Sequence, residues 1–187
     1  MAEKKCDVLI AGVGGQGIVL CSDILGAACI TEGVPVKGAE VHGMAQRGGS
    51  VEAHVRIGCI YGPRIPEGCA DVLIAMEPLE GARLSHYLKD GGTAIVNTWK
   101  IPLLGQDYDQ DDMLKIISRK TQYIVARDFT SRALETGTIR TLNVLMLGAA
   151  AKSVPLKRES IVSAIERNVK KEFVPVNIAA FSLGQQI

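Results

Sequence analysis

The densest set of chemically able side chains in this sequence is Glu40-Val-His42-Gly-Met-Ala-Gln46-Arg47-Gly48-Gly49-Ser50. A carboxylate, an imidazole, an amide and a guanidinium lie close together on a glycine-flanked segment beside a strand. Such a set can grip a carboxylate or a phosphate, with Arg47 as the bidentate donor. The same composition also suits an exposed loop that docks on a partner or is simply solvated, because loops are often polar without chemistry.

A second candidate is Gly12-Val-Gly14-Gly15-Gln16-Gly17, which fits G-x-G-x-x-G between an expected strand and an expected helix. Glycines permit the tight turn, let the backbone approach a phosphate, and leave the N–H groups of the helix N-terminus facing an anion. Three readings stay open: a tight strand-to-helix crossover, an anion or diphosphate contact, and a nicotinamide or flavin dinucleotide site. The last lacks its acidic ribose partner, since Glu32 precedes the second strand and Glu40 lies well beyond the expected place.

Other chemistries are excluded or bland. No G-K-[ST], G-x-S-x-G or H-E-x-x-H occurs in a suitable context. His42 and His54 are too widely spaced to share one helical turn, and His54 reads as an exposed strand position. Cys6, Cys21, Cys29, Cys59 and Cys69 contain no C-x-x-C pair, so they read as buried free thiols and no metal site is expected. Glu77 and Glu80 beside Pro78 read as helix N-terminal charges or as a carboxylate pair near a ligand.

The elements that must position these residues follow from periodicity. Val8 to Ala11 is a short buried strand, and Ile18 to Ile30 is a helix apolar on nearly every side, expected to be sandwiched between layers. Val34 to Lys37 is the second strand, after which Gly38 to Ser50 shows no period. Strands are expected at Ser50 to Ile57, Val72 to Ala75, Ala94 to Val96 and Tyr123 to Ala126. Helices are expected from Pro78 to about Leu88, through Met113 to Ser118, and over a helical last third carrying Leu142 to Ala150, Ile161 to Val169 and Ile178 to Phe181. No repeat or linker divides residues 1–187, so one domain is expected.

Composition agrees with helices packed on a sheet: 187 residues, 20 of them Gly, and only 4% aromatic. Lys and Arg number 21 against 20 Asp and Glu, which gives no electrostatic footprint for nucleic acid or an anionic membrane. No signal peptide and no apolar run of bilayer-crossing length is seen, so the expected location is the cytoplasm.

Ile10-Ala-Gly-Val-Gly-Gly-Gln-Gly-Ile-Val-Leu20, the Val36 to Val51 segment and Ile65-Pro-Glu-Gly-Cys-Ala-Asp-Val-Leu73 together resemble a known family. The likeness continues through Met76-Glu-Pro-Leu-Glu80, Asn143-Val-Leu-Met-Leu-Gly148, Asn177 and Phe181. The chain is similar to the gamma subunits of 2-oxoacid:ferredoxin oxidoreductases, the indolepyruvate branch above all. The specific part of the match is the block from Glu40 to Ser50.

That resemblance implies an α/β, Rossmann-like domain of three layers, with a mostly parallel sheet and a helical C-terminal third. It implies a subunit of an enzyme that converts an aryl 2-oxoacid and coenzyme A to an acyl-CoA and carbon dioxide, passing two electrons to ferredoxin. Thiamine diphosphate and [4Fe-4S] clusters are then expected in a large alpha subunit and none of them in this chain. The resemblance places Glu40, His42, Gln46, Arg47, Gly48, Gly49 and Ser50 near the partner's active site, with Arg47 on an anionic group and Gln46 and His42 orienting it. Pyruvate, 2-oxoglutarate and branched-chain 2-oxoacids remain alternative substrates, and a self-contained dinucleotide protein and a purely structural subunit remain alternative functions. An isolated chain can self-associate to cover the surface meant for its partner.

Overall fold

The computed structural model describes residues 5–43, 48–59, 61–100 and 108–187. Its frame is a six-stranded sheet in the order β2-β3-β1-β4-β5-β6. The strands are β1 (Cys6–Val13), β2 (Val36–His42), β3 (Ser50–Ile57), β4 (Ala70–Ala75), β5 (Leu88–Asn97) and β6 (Tyr123–Arg127). The run β1-β4-β5-β6 is parallel, whereas β3 is antiparallel to both β1 and β2. The sheet is therefore mixed, with the parallel portion in the majority.

Helices cover both faces. On one lie α1 (Ile18–Thr31), α4 (Phe129–Glu135), α5 (Leu142–Ala150), α6 (Arg158–Asn168) and α7 (Val174–Gly184). Their apolar residues pack with Val8, Ile10, Val72, Ile74 and Ile95 of the strands. The opposite face carries α2 (Pro78–Leu84) and α3 (Gln110–Ser118), over Leu9, Ala11, Leu73, Ala75, Ala94 and Val96. The apolar residues of β1, β4 and β5 thus alternate between two cores and are buried, whereas Lys89 to Gly91 near the start of β5 are exposed. These strands read as continuous apolar runs because a parallel sheet between two helical layers exposes neither side.

Several expectations are corrected. The second strand runs over Val36–His42, not Val34 to Lys37, so Glu40 and His42 lie on a strand rather than in a loop. It is an edge strand, mostly exposed on both faces, held in register by β3 from Val36 opposite Ile57 to His42 opposite Val51. An edge strand with so little buried surface carries no apolar alternation to read. His54 is fully buried, not exposed: its Nδ1 accepts from the Ile65 N–H and its ring meets Tyr87 edge-on. Neighbouring side chains on the α2 face of the sheet enclose it.

α2 stops at Leu84 and is followed by a 3-10 turn over Ser85–Tyr87. β5 then begins at Leu88, which draws the expected Asp90 to Thr93 turn into the strand, with a register shift opposite Ala70 and Val72. The helix Phe129–Glu135 was not expected from the pattern, because it spans under two turns. Of the cysteines, Cys6, Cys21, Cys29 and Cys59 are buried as expected, but Cys69 is exposed. Burial pushes the Cys21 thiol up to about 12, which suits an inert apolar filler.

Candidate functional site: the crevice between α1 and α2

The chain leaves β1 toward one face and enters α1, while it leaves the adjacent parallel strand β4 toward the other face and enters α2. Two such departures on opposite sides open a crevice at the carboxyl ends of the strands, where ligands bind in open α/β sheets. The glycine turn forms one wall of it and Met76 to Glu80 the other.

Gln16 closes the floor. Its Oε1 accepts from the Val13 N–H at 2.7 Å and its Nε2 donates to the Met76 carbonyl at 3.0 Å, tying β1 to β4. The Met76 carbonyl also accepts from Asn97 Nδ2 at 3.1 Å. Asn97, fully buried at the end of β5, accepts through Oδ1 from the Phe129 and Thr130 N–H groups and so starts α4. The crevice floor is thus two amide side chains sharing one carbonyl.

Gly17 is the N-cap of α1 and has φ 77°, the left-handed region that favours glycine. A Cβ there would lie 2.6 Å from Asn143 Nδ2, which donates to the Gly17 carbonyl at 3.0 Å. No side chain caps α1 and its first turn holds no acidic residue, so its positive end faces the crevice mouth.

Part of the polar block meets this turn. The Gly14 N–H donates to the Gly49 carbonyl at 2.9 Å, and the Gly43 N–H donates to the Ser50 carbonyl at 2.8 Å. Ser50 Oγ donates to Glu80 Oε2 at 2.5 Å. Glu40 and His42 stand apart, on the exposed edge strand: Glu40 Oε1 accepts from Ser22 Oγ at 3.3 Å, and its Oε2 lies 3.9 Å from His42 Nε2. Gly48 has φ 75° and is exposed. Gln46 and Arg47 lie outside the described residues.

Glu77 and Glu80 are more than helix charges, being 1% and 4% exposed. Glu77 is the N-cap of α2, its Oε2 accepting from the Glu80 N–H at 2.9 Å, while Tyr108 Oη donates to its Oε1. Burial outweighs these hydrogen bonds and holds the Glu77 carboxyl above the usual carboxylate range. Glu80 Oε1 receives Arg83 at 3.3 Å. Periodicity gives no sign of Tyr108 or Asn97 at this site. The only hint in the sequence is an amide ending an apolar strand.

Among the described residues no three His, Cys, Asp or Glu side chains group to hold a metal. The crevice is thus lined by the glycine turn and the Ser50 side chain, above the buried carboxylates of Glu77 and Glu80.

Comparison with known proteins matches the family described as pyruvate ferredoxin/flavodoxin oxidoreductase over residues 7–187. The indolepyruvate oxidoreductase subunit IorB of Thermococcus kodakarensis is 40% identical over 191 aligned positions, covering 97% of this chain and 95% of that protein. The common gamma subunit of the pyruvate/ketoisovalerate oxidoreductases of Pyrococcus abyssi is 32% identical, covering 93% and 92%. Among solved structures, the gamma subunit of a keto/oxoacid ferredoxin oxidoreductase from Geobacter sulfurreducens shares the fold, with TM-score 0.73 and 23% identity over 97% of this chain and 96% of that one. A 2-oxoglutarate:ferredoxin oxidoreductase chain from Magnetococcus marinus has TM-score 0.75 and 21% identity, matching 98% of this chain but 31% of its own length. On the family match along nearly all of its length and on the 40% identity to one relative, this chain belongs to the pyruvate ferredoxin/flavodoxin oxidoreductase family.

Proposed function

We propose that the chain is the small subunit of a 2-oxoacid:ferredoxin oxidoreductase that takes indolepyruvate or another aryl 2-oxoacid. The overall conversion joins the acyl group of the 2-oxoacid to coenzyme A, releases carbon dioxide and passes two electrons to ferredoxin. Thiamine diphosphate and [4Fe-4S] clusters belong, on this reading, to a large alpha subunit, and this chain is inactive alone. Residues 1–187 act as one gamma-type unit in the cytoplasm. The indolepyruvate assignment is supported by the relatives named IorB, of which two are 40% and 38% identical to this chain.

The observation that carries the reading is the crevice itself. It unites the glycine turn, Gly49 and Ser50 at the carboxyl ends of the parallel strands, yet supplies no complete reactive set among the described residues. This chain's task is then to bind and orient. The α1 N-terminus faces an anionic group of coenzyme A or substrate with the Gly15 and Gly17 N–H groups, since those of Val13, Gly14 and Gln16 are paired within the chain. Gly48, Gly49 and Ser50, with Gln46 and Arg47 before them and Glu40 and His42 on the edge strand, face the partner's site. Binding energy from such contacts, remote from the bonds that change, positions the acyl group for transfer.

The test is the purified complex of this chain and its large partner carrying Arg47→Ala. A raised KM for coenzyme A or the 2-oxoacid, or a lowered turnover, is expected. Normal turnover with normal KM values would sink the site assignment and favour a purely structural subunit.

A further inference from the structure

Glu80 closes no capping box in its own helix. In α2 the N-cap Glu77 accepts from the Glu80 N–H, and a capping box would have the Glu80 side chain return to the Glu77 N–H. It turns away instead. One carboxylate oxygen takes the Ser50 hydroxyl at 2.5 Å and the other takes Arg83 at 3.3 Å. The carboxylate is nearly inaccessible, while the Arg83 side chain that offsets its charge is 60% exposed. A buried carboxylate so weakly compensated is costly, and an apolar side chain of similar length would fold at least as well.

What this arrangement achieves is a fixed wall at the crevice mouth. Ser50 is held at its hydroxyl by Glu80 and at its carbonyl by the Gly43 N–H, and the neighbouring Gly49 carbonyl takes the Gly14 N–H of the glycine turn. Three elements distant in sequence, the turn after β1, the start of β3 and the first turn of α2, therefore meet at one residue pair. Remove the Glu80 acceptor and Ser50 keeps only backbone bonds, which any residue at that position could make.

We infer that Glu80 is a positioning residue, which through Ser50 fixes the Gly49–Ser50 wall against the glycine turn so that the crevice binds coenzyme A in one orientation. This rests on the proposed function, because it takes the crevice mouth as the contact for that substrate. The role is uniform binding, so its loss raises KM and leaves kcat nearly unchanged.

The experiment compares Glu80→Met, Glu80→Gln and Ser50→Ala in the complex with the large subunit, with kinetics and amide exchange both measured on that complex. Glu80→Met is expected to raise the KM for coenzyme A about tenfold, the size of one displaced contact between the Gly49–Ser50 wall and a charged group of the ligand, without lowering the melting temperature. Glu80→Gln, which keeps an acceptor for Ser50, is expected to restore most of the affinity. Ser50→Ala is expected to match Glu80→Met, and the double variant to add little to either. Exchange at the Gly14 and Gly43 amides is expected to quicken in Glu80→Met and Ser50→Ala. A lowered melting temperature with an unchanged KM, or unchanged exchange at both amides, overturns the positioning role. Arg47→Ala in the same complex then shows whether the reading of the polar block has failed with it or stands by itself.

Discussion

Asn97 offers a quantitative test of how the crevice is built. Its side chain is fully buried and makes five hydrogen bonds: Oδ1 accepts from the Phe129, Thr130 and Trp99 N–H groups at 3.0, 3.3 and 3.4 Å, and Nδ2 donates to the Met76 carbonyl and Thr130 Oγ1 at 3.1 and 2.9 Å. In Asn97→Leu the shape is nearly kept but the two N–H donors at the start of α4 lose their acceptor. Met76 still has Gln16, so its carbonyl is not orphaned. Each buried donor left unpaired costs about 1–3 kcal/mol, so a loss of about 4 kcal/mol is expected. For a domain of this size that lowers the melting temperature by roughly 8–16 °C. Urea denaturation measures the loss, and amide exchange at Phe129 and Thr130 locates it. A variant within about 1 kcal/mol of wild type, or a loss of the full size with those two amides still protected, would refute the reasoning.

Three further outcomes are expected. Gly148→Ala places a Cβ 2.2 Å from the Phe181 carbonyl oxygen where α5 and α7 cross, so the helices must part at a cost of about 1–3 kcal/mol; denaturation midpoints check this. Burial holds the His54 imidazole below its ordinary value of 6.5, so the unfolded chain binds more protons between the folded value and 6.5. The stability from neutral His54 is complete above that window and declines as pH falls through it, a decline that should flatten in His54→Gln if the buried position tolerates the amide. Glu77 shows the opposite sign: its folded value lies above 4.5, so its contribution is present below 4.5 and is lost as pH rises through the folded value. Glu77→Gln, able to accept from the Glu80 N–H and donate to Tyr108, is therefore expected to gain stability over wild type at neutral pH and to lose that advantage on acidification.

The parts of this fold legible in the sequence are those where one physical cause dominates. Val8 to Ala11 and Val72 to Ala75 read as strands because both faces are buried and every residue is apolar, and the glycine turn lies between a strand and a helix as its glycines and the apolar run after it indicate. Where tertiary pairing decides, the pattern failed. Glu40 and His42 became strand residues through their partners on β3, across an edge that buries little. His54 carries a polar label yet is enclosed by Tyr87 and the backbone of Ile65, neither of them near it in sequence. The crevice was half visible: the glycine turn and the polar block stood out by composition. Their meeting at Gly14 and Gly49 did not, nor did the closure by Gln16, Asn97, Glu80 and Tyr108, because each link joins residues far apart in the chain.

A subunit of the proposed kind acts on aryl 2-oxoacids only together with a larger partner. The direct measurement is to co-express it with the product of the neighbouring gene, purify the complex without oxygen, and follow coenzyme A-dependent reduction of a viologen dye by indolepyruvate, phenylpyruvate, pyruvate and 2-oxoglutarate. The aryl substrates are expected to lead, and this chain alone is expected to be inactive. A lone chain that binds a nicotinamide or flavin, with no partner retained on purification, would contradict the subunit role.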